Sequence, residues 1–445
     1  MKHRLLVWGA TQIVQVCRSK ESMVIGEDMK NVATLDKNEN VADGWSLVVS
    51  REGVISDIDN DSAIQLKYGF GHKLGPRAED VFDQIIDARD CCVLPGLVDG
   101  HTHPVWAGDR VHEFAMKLDG ATYMDVHKAG GGINFTVRHT CDATEDGLYN
   151  SFKKRLRRML QSGTTLVECK SGYGLNLRTE MKMLRVIDRA QRDPDIPIQI
   201  SSTYCGAHSI PSGSTAEQAV HDVINVQIPA IKKEMLEGNL TVDNIDVFCE
   251  KGVFDVDQSR RILKAGIEAG LLVNFHGDEL NPVKAAEMGA ELGAHAISHL
   301  EEISDEGIRA MALVKSVAVL LPTTAYILRL PQPPARKMID GGVPVALGSD
   351  FNPNAFCMSM PLVMHLACVN FRMSMTEALH AATINAAASL GKSSSHGSLE
   401  VGKRGDLLVL KAPRWEHLIY QFGEVGHILM YVVCNGKIVH EGLTD

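Results

Sequence analysis

Short apolar runs alternate with longer stretches of helical periodicity through the middle of the chain. Eight runs can be counted, and they are VLPGLVDGHTH, TTLVECKSGYG, IPIQISSTYCGAH, NIDVFCEKG, LLVNFHGDE, AHAISHLEE, SVAVLLPTT and PVALGSDFNP. Between two of them, Met181, Leu184 and Ile187 recur at the spacing of an amphipathic helix. Eight strand–helix units over roughly 300 residues predict an α/β fold with a (β/α)8 barrel of the TIM type. A doubly wound open sheet remains an alternative, because strand order is not visible in such a pattern.

Both ends of the chain have a different pattern, in which β-branched runs are separated by polar stretches. Near the C-terminus, Asn435-Gly436 between two apolar runs predicts a two-residue hairpin turn. Neither end is long enough to form a stable domain alone, so we expect both to pair into one small β-sandwich. The expected domains are therefore 1–90 and 395–445 for the two parts of the sandwich, and 91–394 for the barrel.

Composition and charge narrow the functional class. Of the 445 residues, 45% are apolar and 22% are charged, as in an ordinary globular protein. The net charge of −10 and a pI near 6.0 argue against a nucleic-acid or membrane-surface partner. Ten cysteines without a CxxC pair indicate free thiols in a reducing compartment, and no signal peptide or membrane-length run is seen. We therefore expect a cytoplasmic protein.

The histidines and acids at the ends of the apolar runs predict a metal site. His101 and His103 end the first run two residues apart, so their side chains point to the same side of a strand. His276 ends the fifth run and Asp350 ends the eighth. Active sites of such barrels lie at the carboxyl ends of the strands, where these four residues would meet. Three imidazoles and one carboxylate favour zinc first and iron or manganese next, and disfavour calcium and magnesium.

Further strand-end residues are candidates for proton transfer and substrate binding. Glu279 lies three residues after His276 and is the expected proton carrier, with His299 and Asp350 as the other catalytic candidates. Arg110 can offer a bidentate fork to a carboxylate, and Tyr173 sits between two glycines. His208 ends the third run, and Tyr123 is a further substrate-side candidate.

Several segments together carry a family resemblance. They are GLVDGHTHPVWAGDR, ECKSGYGL, GAHSIP, VNFHGDEL, SHLE and ALGSDFNP. With them the chain resembles the amidohydrolase superfamily over nearly its whole length, and within it the imidazolonepropionase family.

The resemblance implies hydrolysis of 4-imidazolone-5-propanoate, a small anionic cyclic amide, to N-formimidoyl-L-glutamate. It also implies one zinc or iron ion per chain, held by the same four ligands, and a homodimer. The residues that match substrate-binding positions of the family are Arg110, Tyr173, His208, Glu279 and Asn352. Many bacterial members carry Gly and then Ser or Thr after the DFNP motif, where this chain has Asn354 and Ala355. A side-chain hydroxyl contact is excluded at Ala355, so we expect these two residues to contribute backbone N–H groups.

Two alternatives remain at this point. One is a deaminase of an aromatic base, which would use the same metal layout but would not need the carboxylate-binding pair Arg110 and Tyr173. The other, from a different class, is a catalytically inactive structural protein of the same fold. The presence of all four candidate ligands speaks against it.

Overall fold

The structure is a computed structural model, and it describes residues 2–37, 43–71, 76–120 and 131–443. An eight-stranded sheet has its strands in sequence order, and neighbouring strands from β3 to β8 are parallel to each other. The strands are β1 Leu97–Asp99, β2 Thr164–Lys170, β3 Gln199–Ala207, β4 Asn244–Cys249, β5 Leu272–Gly277, β6 Ala296–His299, β7 Val317–Leu320 and β8 Val345–Leu347. Each lies within one of the eight predicted apolar runs.

The sheet closes on itself just beyond its first and last strands. A parallel bridge joins Thr102 to Phe351, and Gly100 N–H donates to the carbonyl of Leu347 over 3.2 Å. This closure confirms the predicted barrel and excludes the open-sheet alternative.

Helices follow most strands, as the periodicity predicts. In Leu177–Arg192 the residues Met181, Leu184 and Ile187 are all buried, so the predicted apolar stripe is confirmed. Asn176 caps this helix by accepting a hydrogen bond from the N–H of Thr179. The helices of the middle of the chain are Val111–Leu118, Ile133–Asp142, Glu145–Gln161, Leu177–Arg192, Ala216–Asp222, Ile228–Leu236, Val256–Glu268, Ala285–Glu291, Asp305–Val314, Pro322–Leu328 and Ala335–Asp340, with a π-helical turn at Val223–Gln227.

The two ends of the chain form two further sheets that share one core. One sheet has the order Ile55–Asn60, Trp45–Val49, His3–Ala10, Phe82–Asp87. The other has the order Lys437–Glu441, Leu429–Cys434, Leu407–Leu410, Cys92–Pro95, Gln12–Val16, Ala33–Asp36. Leu5, Leu47, Val93 and Val409, from both sheets, are fully buried in a single apolar cluster. The small domain expected from the two termini is thus present.

The hairpin predicted at Asn435-Gly436 is confirmed. It joins two antiparallel strands of the six-stranded sheet, and both turn residues have positive φ, at 52° and 72°. The remaining helices are Asp61–Tyr68, Ala78–Val81, Met360–Asn370, Met375–Ala381, Ile384–Ser389, His417–Tyr420 and Val425–Ile428, with a 3₁₀ turn at Gly26–Lys30.

The chain divides into two compact units. One comprises 1–99, 158–166 and 359–445, and the other comprises 100–157 and 167–358. The domain limits expected from the sequence, 1–90, 91–394 and 395–445, stay a prediction. None of the ten cysteines, all within the described residues, forms a disulfide. No helix within the described ranges is both long and apolar enough for a bilayer crossing.

Candidate active site

The backbone beyond β1 and β8 places the predicted ligands side by side. Asp350 N–H donates to the carbonyl of His101 over 2.9 Å, and His103 N–H donates to the carbonyl of Phe351 over 2.9 Å. Asp350 has a φ of 45°, an uncommon conformation for a non-glycine residue that is often found at functional sites. The closure of the barrel therefore builds half of the candidate metal centre.

Four side chains converge on one point. His103 Nε2 lies 3.3 Å from His101 Nε2 and 3.2 Å from His276 Nε2. Asp350 Oδ1 lies 3.5 Å from His101 Nε2 and 3.6 Å from His103 Nε2. All four side chains are buried. The predicted ligand set is thus assembled in space.

Hydrogen bonds at the far side of two of the three histidine rings fix their orientation. His276 Nδ1 lies 2.9 Å from Asp246 Oδ1, and His101 Nδ1 lies 2.8 Å from Ser298 Oγ. Asp350 accepts a hydrogen bond from the hydroxyl of Thr324 on its other oxygen. Because Asp246 accepts the Nδ1 proton of His276, the Nε2 lone pair of that ring points toward the centre.

Burial keeps the imidazoles of His101 and His103 neutral. It lowers the pKa of His101 and His103 well below the usual value, and the charge of Lys170 acts in the same direction. Burial raises the pKa of Asp350. Unprotonated ring nitrogens about 3.2 Å apart repel one another unless a cation lies between them. The donor set therefore fits a divalent transition-metal ion.

A fully buried network of ion pairs lies on the Nδ1 side of His276. Lys170 Nζ lies 2.8 Å from both Asp246 Oδ2 and Glu168 Oε2. Burial alone would raise the pKa of Asp246, but its contacts with His276 and Lys170 hold that pKa well below its usual range. Glu168 also accepts hydrogen bonds from Thr203 and Asn274. Asp246 was not among the site residues predicted from the sequence, although an acid inside the apolar run NIDVFC was an available signal.

Glu279 and His299 form a second buried pair beside the ligands. Glu279 Oε2 lies 3.6 Å from His299 Nε2, and the His299 ring centroid lies 5.0 Å from that of His276. Burial raises the pKa of Glu279 well above its usual value, and the charges of Glu301 and Asp350 add to the effect. Raising the pKa of a carboxyl from the acidic range toward the working pH suits it to both taking and giving protons.

Two aromatic rings, those of His208 and Tyr173, lie beside the candidate ligand His103. The His208 ring stacks on His103, with centroids 4.6 Å apart, and Tyr173 lies 5.3 Å from His208. Burial raises the pKa of Tyr173 and the charge of Arg110 opposes that rise, so the phenol stays protonated as a donor. The predicted substrate residues Tyr173 and His208 thus border the metal centre.

Arg110 already has a buried partner. Its Nε and Nη2 atoms donate to Glu113 Oε2 over 2.9 and 2.8 Å, while Glu113 Oε1 accepts the N–H of Gly132 over 2.9 Å. Glu113 is 1% exposed. Glu113 was not among the site residues predicted from the sequence, because an ion pair between residues i and i+3 of a helix is usually a surface feature. Here it holds the guanidinium in place. The candidate Tyr123 lies outside the described residues.

The loop after Asp350 is held by Asn352. Its Nδ2 donates to the carbonyl of Asp350 over 2.8 Å, and its Oδ1 accepts the N–H groups of Asn354 and Ala355 over 2.7 and 3.1 Å. Asn354 also accepts a hydrogen bond from Lys117 on Oδ1. The backbone N–H groups expected to contact a ligand are therefore directed at Asn352, and a substrate role for Asn352, Asn354 and Ala355 stays a prediction.

Comparison with known proteins identifies the family. Residues 252–439 match the Amidohydrolase family. The chain is 60% identical over 439 residues to a mouse protein named probable imidazolonepropionase, a match that covers 99% of each chain. It is 59% identical to the human protein of that name, over 99% of each chain. It is 53% identical to the one from Dictyostelium discoideum, over 98% of each.

Solved structures share the fold at much lower identity. An adenosine deaminase from Xanthomonas campestris with bound zinc has a TM-score of 0.68 at 15% identity, covering 98% of this chain and 93% of that one. A guanine deaminase from C. acetobutylicum with bound guanine also has a TM-score of 0.68, at 17% identity, covering 98% and 99%. At these identities the similarity shows the fold alone. The full-length relatives confirm the resemblance carried by the motifs, and the chain belongs to the imidazolonepropionase family of the amidohydrolases.

Proposed function

We propose that this chain hydrolyses the cyclic amide bond of 4-imidazolone-5-propanoate to give N-formimidoyl-L-glutamate, a step of histidine degradation. The observation that carries the proposal is the identity of about 60% over 99% of the chain to proteins named probable imidazolonepropionase. The geometry is compatible with the proposal, because a buried four-donor centre, a carboxyl with a raised pKa and a guanidinium all lie in the same compact unit of the chain.

The proposed cofactor is one divalent ion per chain, zinc or iron. The ion would be held by His101, His103, His276 and Asp350. The distances that join their donor atoms to Nε2 of His101 or His103 are 3.2 to 3.6 Å. When bound, such an ion supplies Lewis-acid activation of water and of a carbonyl oxygen. Neutral nitrogen and carboxylate donors suit both metals, so the donor set does not choose between them.

The proton-handling role is proposed for Glu279, His299 and Asp350. Glu279 takes the proton from the attacking water and returns it to the ring nitrogen that leaves, so the water's hydroxyl ends on the carbonyl carbon. His299 presents Nε2 toward the same space, where an N–H at that position stabilises the developing charge on oxygen. Asp350 combines ligation with a hydrogen bond to the water.

The substrate is proposed to be held by its propanoate arm. Arg110 supplies the charge and Tyr173 a hydroxyl donor, while His208, Glu279 and Asn352 border the ring and the product. Fixing the carboxylate at a distance from the reacting amide positions the ring, which lowers the entropic cost of the reaction. The fixed guanidinium also provides a local positive site for an anion on a protein of charge −10.

The alternative of base deamination is disfavoured by the same residues. A neutral base needs no carboxylate clamp, and the names of the full-length relatives support the hydrolase. An inactive protein is disfavoured because the four donors and the Glu279–His299 pair are all in place.

Three further expectations remain proposals. A homodimer is expected from the family, and sedimentation of the purified protein tests it. Cell imaging tests the expected cytoplasmic location. Limited proteolysis tests the domain limits near residues 90 and 395.

Product analysis tests the proposed function. Substrate is generated in situ, because the ring is expected to be unstable, and mass spectrometry follows N-formimidoylglutamate above the no-enzyme background. We expect product with the metal-loaded protein and none with His276→Ala, while the exposed His221→Ala serves as the matched control and stays active. No product from metal-replete protein would contradict the proposal, and guanine and adenine would then be tested as substrates for ammonia release.

A further inference from the structure

Glu301 is a buried acid that the proposed chemistry does not use. It lies two residues beyond the end of β6, and its side chain is 0% exposed. Neither of its carboxyl oxygens has a hydrogen-bond partner among the described residues. A buried polar group without partners is destabilising, commonly by about 1–3 kcal/mol, so its presence calls for an explanation.

This acid lies beside the catalytic candidate His299. Glu301 Oε2 lies 3.8 Å from His299 Nδ1, and this nitrogen is also buried without a hydrogen-bond partner in the described part of the chain. On its other side, His299 Nε2 lies 3.6 Å from Glu279. The imidazole is therefore flanked by one carboxyl at each ring nitrogen. Hydrogen bonds of catalytic groups are often long without substrate and tighten when it binds.

The backbone between the two residues is held in an unusual conformation. His299 and Leu300 have φ values of 78° and 70°, which non-glycine residues rarely adopt in succession. Hydrogen bonds from Leu300 N–H to the Gly277 carbonyl, at 3.1 Å, and from Glu302 N–H to the Asp278 carbonyl, at 2.8 Å, fix this turn. Such strain is typically retained where function requires a defined side-chain geometry.

We propose that Glu301 is a positioning residue that orients His299 and determines which of its ring nitrogens carries the proton. A protonated Glu301 donates its O–H to Nδ1, which leaves an N–H at Nε2 facing the reacting carbonyl. An ionised Glu301 accepts the Nδ1 proton, which leaves a lone pair at Nε2. Only the first state supplies a donor to the developing oxyanion. The inference rests on the proposed function, since His299 is its catalytic link.

The charges around Glu301 favour the first state. Burial raises its pKa to about 8, and the negative charges of Asp350 and Glu302 act in the same direction. Asp350 approaches from the end of β8 and Glu302 from the same turn, while Glu279 faces the opposite nitrogen of His299. At neutral pH Glu301 therefore keeps its proton, and the alkaline limb of the rate profile should contain its ionisation.

Kinetics of the metal-loaded, full-length protein test the inference. Glu301→Leu removes the partner of His299, and we expect kcat to fall tenfold or more with KM and metal content little changed. Glu301→Gln keeps hydrogen-bonding capacity but cannot ionise, so it should recover part of kcat and shift the alkaline limb. The neighbouring Glu302→Gln is the matched control and should keep the kcat and KM of the wild type at neutral pH, with only a small shift of the alkaline limb. Equal kcat and equal pH profiles for the Glu301 and Glu302 variants would overturn the inference.

A measurement without substrate separates this inference from the proposed function. Histidine-labelled protein gives ¹⁵N signals for His299, assigned by their loss in His299→Gln. We expect Glu301→Leu, but not Glu302→Gln, to change the Nδ1 and Nε2 shifts. Unchanged shifts would overturn the positioning role even if the substrate assignment is right. Changed shifts together with no imidazolonepropanoate turnover would support the positioning role and reject the substrate.

Discussion

At the residue scale, two histidines of the candidate metal centre are each oriented by a neighbour that sequence patterns do not reveal. His276 depends on Asp246 and His101 on Ser298, through contacts of 2.9 and 2.8 Å. The ligands themselves could be predicted, because strand-end histidines have a recognisable position. Their partners could not, because they come from other strands and meet only when the barrel closes.

Asp246→Asn should weaken metal binding roughly tenfold to a hundredfold, the usual effect of losing such an outer partner. An amide no longer balances the Nδ1 proton of His276, and it leaves Lys170 with one acid fewer. Chelator competition on the purified protein measures the affinity. The exposed Asp195→Asn is the control, and equal affinities for the two variants would show that Asp246 does not support the ligand.

Arg110→Met should raise KM for the substrate by roughly tenfold to a hundredfold, since charged hydrogen bonds contribute about 1.5–3 kcal/mol. Pairing it with Glu113→Gln avoids leaving a buried acid unpaired. Metal content and kcat should change little, and the exposed Arg157→Met should leave KM unchanged. Loss of metal in the double variant, measured by elemental analysis, would mean that the assigned role is wrong.

Glu301 should make the folded protein less stable as pH rises. Its folded pKa is about 8 against an ordinary value of 4.5, so between these values the folded state binds the extra proton. The loss of folding free energy caused by ionisation of Glu301 is absent below about pH 4.5, grows up to about pH 8 and then stays constant. The Tm of Glu301→Gln minus that of the wild type should therefore increase from pH 5 to pH 8. A difference independent of pH, as expected for Glu302→Gln, would contradict this pKa.

At the element scale, a glycine beyond β8 permits the close approach of the first and last strands. A Cβ atom at Gly348 would lie 2.8 Å from both the Cβ and the backbone nitrogen of His101. Gly348→Ala should therefore displace His101, lower the Tm and weaken metal binding, at a cost of about 1–3 kcal/mol. Gly423→Ala, where a Cβ meets nothing within 4 Å, is the control. Unchanged metal affinity would show that the strands can separate without disturbing the ligand.

The elements of the barrel could be predicted because their signals are local. All eight apolar runs contain a barrel strand, and the stripe of Leu177–Arg192 is buried as its periodicity indicates. The turn at His299 and Leu300 could not be predicted, because nothing in the letters of SHLEE signals two positive φ values. That conformation is imposed by backbone hydrogen bonds to Gly277 and Asp278, which are distant in sequence.

At the scale of the whole molecule, the pairing of both chain ends into one small sheet domain was predictable from their length and strand pattern. The assignment of 158–166 and 359–394 to the same compact unit as these ends was not, because it depends on contacts between segments distant in sequence. The net charge of −10 limits the classes of partner, whereas the substrate assignment depends on the site and on the full-length relatives.

The central claim is that one metal ion, held by His101, His103, His276 and Asp350, makes this chain an imidazolonepropanoate hydrolase. The most direct test is to titrate metal-free protein with zinc, and separately with ferrous iron, while following product formation. We predict activity that rises linearly and reaches a plateau at one equivalent per chain for at least one metal. Full activity without metal, a plateau at two equivalents, or no turnover at any ratio would contradict it.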